Sequence, residues 1–372
     1  MLYGLFYMQP QYREGSDSIQ LFTLSCTETD RLLQHPVDFI KDFFTSGYRE
    51  ESNLFISKDS YWNDLKNNTL VKLVAVINLF TGKRYFVNVI FINFLFFFGP
   101  IALFRLLKTV YPNQHRILIA GIFMVPSFVF WCSGLHKDGF IFLAIALAVY
   151  FLYQLNNNHK QKLKYMLLLA CCLLLLFAFR NFLFFLLLPA FAGYLLAIRY
   201  PSYKNRCFAV VYLVAVALFF LLPYLHPAFN FPQYLAGKQA EFRDLSGASG
   251  IPVPVLHPTA ISIAAFLPYA LDIALLRPHL TEIKNLAYLP AALENLAIVL
   301  LLIFTILRYK TGNFAALILL LICFSCSALL MTGYTVTFSA AVMRYKSILL
   351  PLFVPVLLAS QNWKLPRRRN IK

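Results

Sequence analysis

The sequence predicts an all-α fold, a polytopic transmembrane helix bundle, on three observations. Charged residues make up 13% of the chain and hydrophobic ones 60%, whereas a water-soluble domain carries about 25% charged residues. Apolar runs long enough to cross hydrocarbon, for which ~20 residues are needed, recur along the 372 residues. Lys and Arg also collect on alternate connections between those runs, as the positive-inside rule requires of a chain threaded repeatedly through a bilayer. Mean hydropathy is +0.66.

Residues 1–85 come first and differ from the rest, with nine Lys and Arg against ten Asp and Glu. They read as an extracytoplasmic polar region with interfacial helices. Within it Thr69 to Phe80 has a helical apolar pattern suited to lying along the interface. The opening Met1 to Met8 is apolar but too short to span, so export of the region calls for a start upstream or another route to the membrane. The first part of the bundle, 86–225, holds candidate spans at 86–107, 117–133, 139–155, 165–179, 182–198 and 208–225. A second extracytoplasmic segment, 226–287, is rich in Pro and Gly and contains the apolar stretch 259–276. Pro268 and Asp272 mark that stretch as re-entrant or interfacial. The last part, 288–360, supplies spans at 288–307, 314–332 and 345–360, about nine in all, and 361–372 is a basic tail.

Charge tests this map. If the first span runs inward, one side collects sixteen bases and no acid: Arg105, Lys108, Arg116, three Lys at 160–164, Arg199, Lys204, Arg206, Arg308, Lys310 and five in the tail. The other side after residue 85 holds eight bases and all six remaining acids. The chain is therefore expected in the cytoplasmic (inner) membrane, multi-pass, with its C-terminus in the cytoplasm. The asymmetry accounts for most of the net charge of +17, which leaves no case for nucleic acid. Six of the seven cysteines lie in or beside apolar runs, where thiols behave as small hydrophobes, so no disulfide framework is read.

Ionisable groups near membrane depth cost about 2.5–3.5 kcal/mol at a helix centre on insertion scales and so ask for a reason. Arg180, with Asn181, interrupts an apolar run from Leu163 to Ile198, where a tight outward hairpin would set it at a cavity mouth. Its fork of donors suits a phosphate or pyrophosphate, and a helix-end Arg that snorkels to headgroups is the plainer reading. In PSFVFWCSGLHKDG (126–139) three ionisable residues fall together. Lys137 is placed to neutralise an anion and His136 or Asp138 to move a proton, although Asp138 also suits an ordinary first helical turn. Arg277 and Arg344 run against the inside rule as Arg180 does, and convergence of the three on one anionic site is weighed against independent headgroup contacts. Asp17, one of ten acids in the first region, is a candidate base or metal ligand. The histidines have no zinc-protease spacing, and no phosphate-binding loop or nucleophile elbow occurs.

Together PSFVFWCSGLHKDG, the Arg between paired apolar helices, RPHLTEIKNLAYLPAALEN and GYTVTFSAAVMRYKSILLPLF resemble bacterial multi-span proteins of surface-polysaccharide assembly. These comprise membrane glycosyltransferases of the GT-C type and O-antigen polymerase-like proteins. The likeness covers roughly residues 10–360 in layout. It implies an enzyme of the outer membrane face that takes a polyprenyl-linked glycan, with membrane lipid and a glycan-assembly complex as partners. In the first group an acid of the first outer loop serves as base or divalent-metal ligand, and Asp17 is the matching position, although the span that should precede it is missing here. In the second, outer-face arginines bind the lipid pyrophosphate, and Arg180, Arg277 and Arg344 are the counterparts. A transporter or flippase-like carrier, or a non-catalytic membrane partner of a polysaccharide export complex, is the alternative; no inverted repeat between the halves favours the carrier.

Overall fold

A computed structural model describes residues 17–45, 61–245, 250–279, 289–308 and 314–361. Met1 to Met8, the charged loops with Glu282, Lys284 and Lys310, and the basic tail lie outside the described residues. Among those described, regular structure is helical, and an isolated antiparallel bridge joins Gly250 to Phe338.

Three polar helices open the chain: α1 (Asp17–Gln34), α2 (Pro36–Thr45) and α3 (Tyr61–Thr81). Lys72 of α3 is buried and reaches Glu28 at 2.8 Å and the Phe39 carbonyl at 2.7 Å. Asn78 donates to Ser25 and Thr29 of α1. Within the 69–80 pattern Leu70, Val71 and Val74 are buried inward, while Val76, Leu79 and Phe80 stay exposed. Gly82 (φ 62°) and Lys83 (φ 56°) turn the chain out of α3. A left-handed residue commonly ends a helix, and Gly reaches that region without a Cβ penalty.

The apolar part follows. Helices α4 (Tyr85–Phe96) and α5 (Phe98–Val110) form one run through helical Phe97. Then come α6 (His115–Phe123), α7 (Pro126–Trp131), α8 (Lys137–Asn157), α9 (Lys162–Arg199), α10 (Lys204–Leu225), α11 (Phe231–Arg243) and α12 (Ala260–Leu271), which continues as a π-turn over Asp272–Leu276. The chain closes with α13 (Leu289–Arg308), α14 (Ala316–Thr335) and α15 (Ser339–Ser360). Seven helical segments among the described residues are long and apolar enough to cross a membrane: Tyr85–Val110, α8, α9, Pro201–Leu225, α13, α14 and α15.

The count differs from the nine spans expected, and two local features explain the difference. The stretch 117–133 is not one helix, because Pro126 cannot donate to the ladder and the chain is unwound at Met124–Val125 between α6 and α7. The stretches 165–179 and 182–198 belong to one 38-residue helical run, which if straight would extend about 57 Å against a hydrocarbon core of ~30 Å. It is not straight. Arg180 has φ −151° and ψ 83° within it, and the Phe177 ring meets those of Phe184 and Phe185 at 5.1 and 6.0 Å.

Neighbours show that the run folds back. Its first half is antiparallel to α8, with Phe179 stacked near Phe140 and Tyr165 near Phe151. Its second half is antiparallel to α10, with Gly193 against Phe208 and Phe185 beside Phe231, which also meets Phe219. α10 in turn meets α14 toward its Leu225 end, where Phe219 and Phe220 share a cluster with Leu330, Met331 and Tyr334. Arg180 therefore sits at the same end of the bundle as Asp138, and Lys162 and Arg199 at the opposite, basic end. The 259–276 stretch forms α12 and the π-turn. Phe266 packs on Tyr334, and Ile273 clusters with Ile251, Val336 and Val342, which sets both at the Asp138 end. The main core is continuous through α4–α9, α14 and α15.

Candidate functional site

Asp138 lies in the first turn of α8, and extended His136 starts that helix as its N-cap. The next residue has to be small: a Cβ on Gly139 would fall 2.1 Å from the Phe96 ring. This contact presses the start of α8 against α4 and leaves Asp138 with no solvent exposure. Burial of an unpaired carboxylate is prohibitive, and two arginines from distant elements resolve it. Arg180, at the reversal of α9, donates from Nη2 to Oδ1 at 3.1 Å, and Arg344, in the second turn of α15, donates from Nε to Oδ2.

Aromatic rings complete the cluster. The Arg180 guanidinium lies 3.8 Å from the Tyr345 ring centroid, and that of Arg344 lies 5.8 Å from Trp131. Such faces stabilise a desolvated cation. Arg180 is 7% exposed and Arg344 19%. His136 is buried and Lys137 half-buried at the entry to α8. Two guanidinium groups from distant elements thus converge on one carboxylate in a low-dielectric setting, where charge interactions are strengthened.

The structure brings Arg180, Arg344 and Asp138 together and pairs Arg277 with a different carboxylate. Arg277 follows the π-turn and pairs through Nε with Asp272 at 2.9 Å, and His279 reaches the other Asp272 oxygen at 2.9 Å. Asp17 opens α1, which packs mainly on α3; its side chain is not among those described. No group of three His, Cys, Asp or Glu gathers at metal-binding range among the described residues.

Next to the arginine cluster, on the other side of α15, lies a pocket of about 270 Å³ including its open mouth, bounded by Ser127, Arg277, Glu294 and Lys346. Lys346 is buried and donates to Asn295 Oδ1 and, at 3.4 and 3.3 Å, to the carbonyls of Leu275 and Arg277. Glu294 accepts from the Ser127 backbone N–H at 2.7 Å and its hydroxyl at 2.6 Å. Sequence reasoning counted Lys346 and Glu294 among the outer charges but did not single them out. The usable signal was an acid and an amide side by side one turn into an apolar helix.

Comparison with known proteins yields no counterpart: no family model, curated protein or solved structure matches this chain. The class that the fold defines is the helical, multi-pass integral membrane protein.

Proposed function

We propose that this protein belongs to cell-surface glycan assembly and transfers sugar from a polyprenyl-(pyro)phosphate donor on the outer face of the cytoplasmic membrane. The observation that carries the reading is the meeting of Arg180 and Arg344 on buried Asp138 at one end of the bundle. In this reading the chain crosses the bilayer nine times, α6 with α7 making one broken crossing and α9 two. The basic end faces the cytoplasm.

A polyprenyl-linked sugar has a tail that belongs in lipid, an anionic head at headgroup depth and a glycan in water. The arginine pair offers the planar donor forks that suit such a head, and Lys137 stands at the entry to the helix of Asp138. Asp138, with each oxygen bonded to a guanidinium, holds both forks in place. In the transfer step an acceptor hydroxyl attacks the anomeric carbon, its proton passes to His136, and the bond from that carbon to the phosphate oxygen breaks. The phosphate leaves with the electron pair, and the arginines stabilise its charge.

The test is binding and turnover by the purified, detergent-solubilised protein. Polyprenyl phosphate is expected to bind the wild type and to bind Arg344→Gln at least tenfold more weakly. Incubation with lipid-linked glycan is expected to yield a new glycosidic product and free polyprenyl (pyro)phosphate. Binding without turnover would support the carrier or partner reading in its place. Equal binding by wild type and Arg344→Gln would remove the site.

A further inference from the structure

We infer that the basic end of the bundle holds a seat for an anionic phospholipid, where the α8–α9 and α9–α10 connections come side by side. The inference is independent of the sugar-transfer reading, whose residues lie at the opposite end.

The backbone brings the two connections together. Short 3-10 turns, His159–Gln161 and Pro201–Tyr203, lead into α9 and α10. The first half of α9 packs on α8, with the Tyr165 ring 6.2 Å from that of Phe151, and Tyr194 of its second half lies near Tyr153 of the same helix. Both halves of α9 therefore flank the last turns of α8. At 1.5 Å per residue, Arg199 stands about 8 Å beyond Tyr194 and Lys160 about 10 Å beyond Tyr153, so the two connections emerge at one level.

Charge is the first observation. The connections and the helix ends beside them carry Lys160, Lys162, Lys164, Arg199, Lys204 and Arg206, all exposed except half-buried Lys204. No Asp or Glu occurs in the sequence between Asp138 and Glu241, and the ion pairs among the described residues involve none of the six bases. Cations in the first turn of a helix are opposed by its macrodipole, so α9 and α10 gain no stability from Lys162, Lys164, Lys204 and Arg206. The inside rule sets the sign of this end of the molecule. The gathering of six unneutralised cations on two adjoining connections makes a local site, and basic clusters at cytoplasmic helix ends recurrently bind anionic head groups.

The surface beside these bases decides the kind of anion. Tyr200 and Tyr203 are exposed, with the Arg206 guanidinium 5.4 Å from the Tyr203 ring, and such rings favour the headgroup level of a bilayer. Further along α9 toward its middle, Leu163 and Leu167 of the first half and Leu195 and Ile198 of the second are exposed as well. The order is cation, aromatic ring, apolar slope. A phospholipid presents its phosphate, its ester region and its chains in the matching order. Free phosphate matches the cations alone, and an acidic soluble protein has nothing to cover the slope.

Native mass spectrometry of the full chain, released from a neutral detergent, counts bound lipids directly. Phosphatidylglycerol and phosphatidylcholine with the same acyl chains are titrated in parallel, with inorganic phosphate and glycerol 3-phosphate as competitors. The wild type is expected to bind phosphatidylglycerol at least about fivefold more tightly than phosphatidylcholine. Lys160→Gln/Lys162→Gln/Lys164→Gln and Arg199→Gln/Lys204→Gln/Arg206→Gln are each expected to remove most of that preference. Arg105→Gln/Lys108→Gln/Arg116→Gln, which deletes as many charges from the α5–α6 side of the same end, is expected to keep it. Apart from Lys204 the substituted positions are exposed, so melting temperatures without lipid are expected to match that of the wild type. Where a triple variant does not fold, Lys162→Gln and Arg206→Gln replace it, each expected to cut the preference about twofold. Equal affinity for the two lipids overturns the inference, and so does a preference that the variants retain. Equal loss in the α5–α6 variant would leave only diffuse attraction by the whole basic end, and displacement by either soluble phosphate would make the occupant a soluble anion; both results also overturn it. Arg344→Gln is expected to leave phosphatidylglycerol binding intact, so this seat and the polyprenyl phosphate site fail separately.

Discussion

Asp138 ties the arginine cluster together, since each of its oxygens accepts from one guanidinium, Oδ1 from Arg180 and Oδ2 from Arg344. Removing one partner of a buried charge group leaves the other uncompensated, at about 3–5 kcal/mol. Asp138→Asn is therefore expected to lower the unfolding free energy measured in detergent by an amount in that range. Arg180→Gln should cost less in the Asp138→Asn background than in the wild type, and additive effects in this cycle would show that the pair is not coupled. The sequence displayed these residues as expensive charges near membrane depth, which is why Arg180, Asp138 and Arg344 were legible. It did not display their pairing, because a contact between residues 206 positions apart leaves no local spacing to read. Arg277 has the look of Arg344 in sequence, and its partner is Asp272, five residues earlier.

At the scale of the element, glycines separate close packing from open surface. A Cβ on Gly333 of α14 would stand 2.0 Å from the Ala270 carbonyl oxygen, and that backbone atom cannot swing aside as a side-chain tip would. Gly333→Ala is expected to loosen α12 from α14 and lower the melting temperature by several degrees. Gly237 in α11 has nothing within 4 Å of the same position, so Gly237→Ala is expected to stabilise by about 0.5–1 kcal/mol through helix propensity. A thermal melt of both variants checks the contrast, and similar shifts would contradict it. Apolar run length located nearly every long helix from sequence. It ran across the break at Pro126 within 117–133, and it divided 165–179 from 182–198 at Arg180, where the helical run folds back. Periodicity records composition along the chain, and one residue's dihedral angles lie below its resolution.

At the scale of the whole molecule, the fold-back of α9 carries a topological prediction. Residues 160 and 203 lie at the basic end, whereas 233 follows α10 at the Asp138 end. In a background without reactive native cysteines, Lys160→Cys and Tyr203→Cys are expected to react with an impermeant maleimide from the same side of sealed vesicles, and Gln233→Cys from the opposite side. Labelling of 160 and 203 from different sides would mean that α9 crosses once. The all-helical, membrane-crossing character was legible from composition alone, since 13% charged residues cannot clothe a soluble protein of this length. The neighbouring pocket was not legible, because it is assembled from α7, α13, α15 and the turn after α12, which come together only on folding.

One further consequence follows from the start of α15. Arg344 and Lys346 are two residues apart, about 200° around the helix, and they reach in different directions, one to Asp138 and the other to Asn295. Twisting this segment to tighten either grip slackens the other. A disturbance on one flank would therefore be felt on the other through a shared axle.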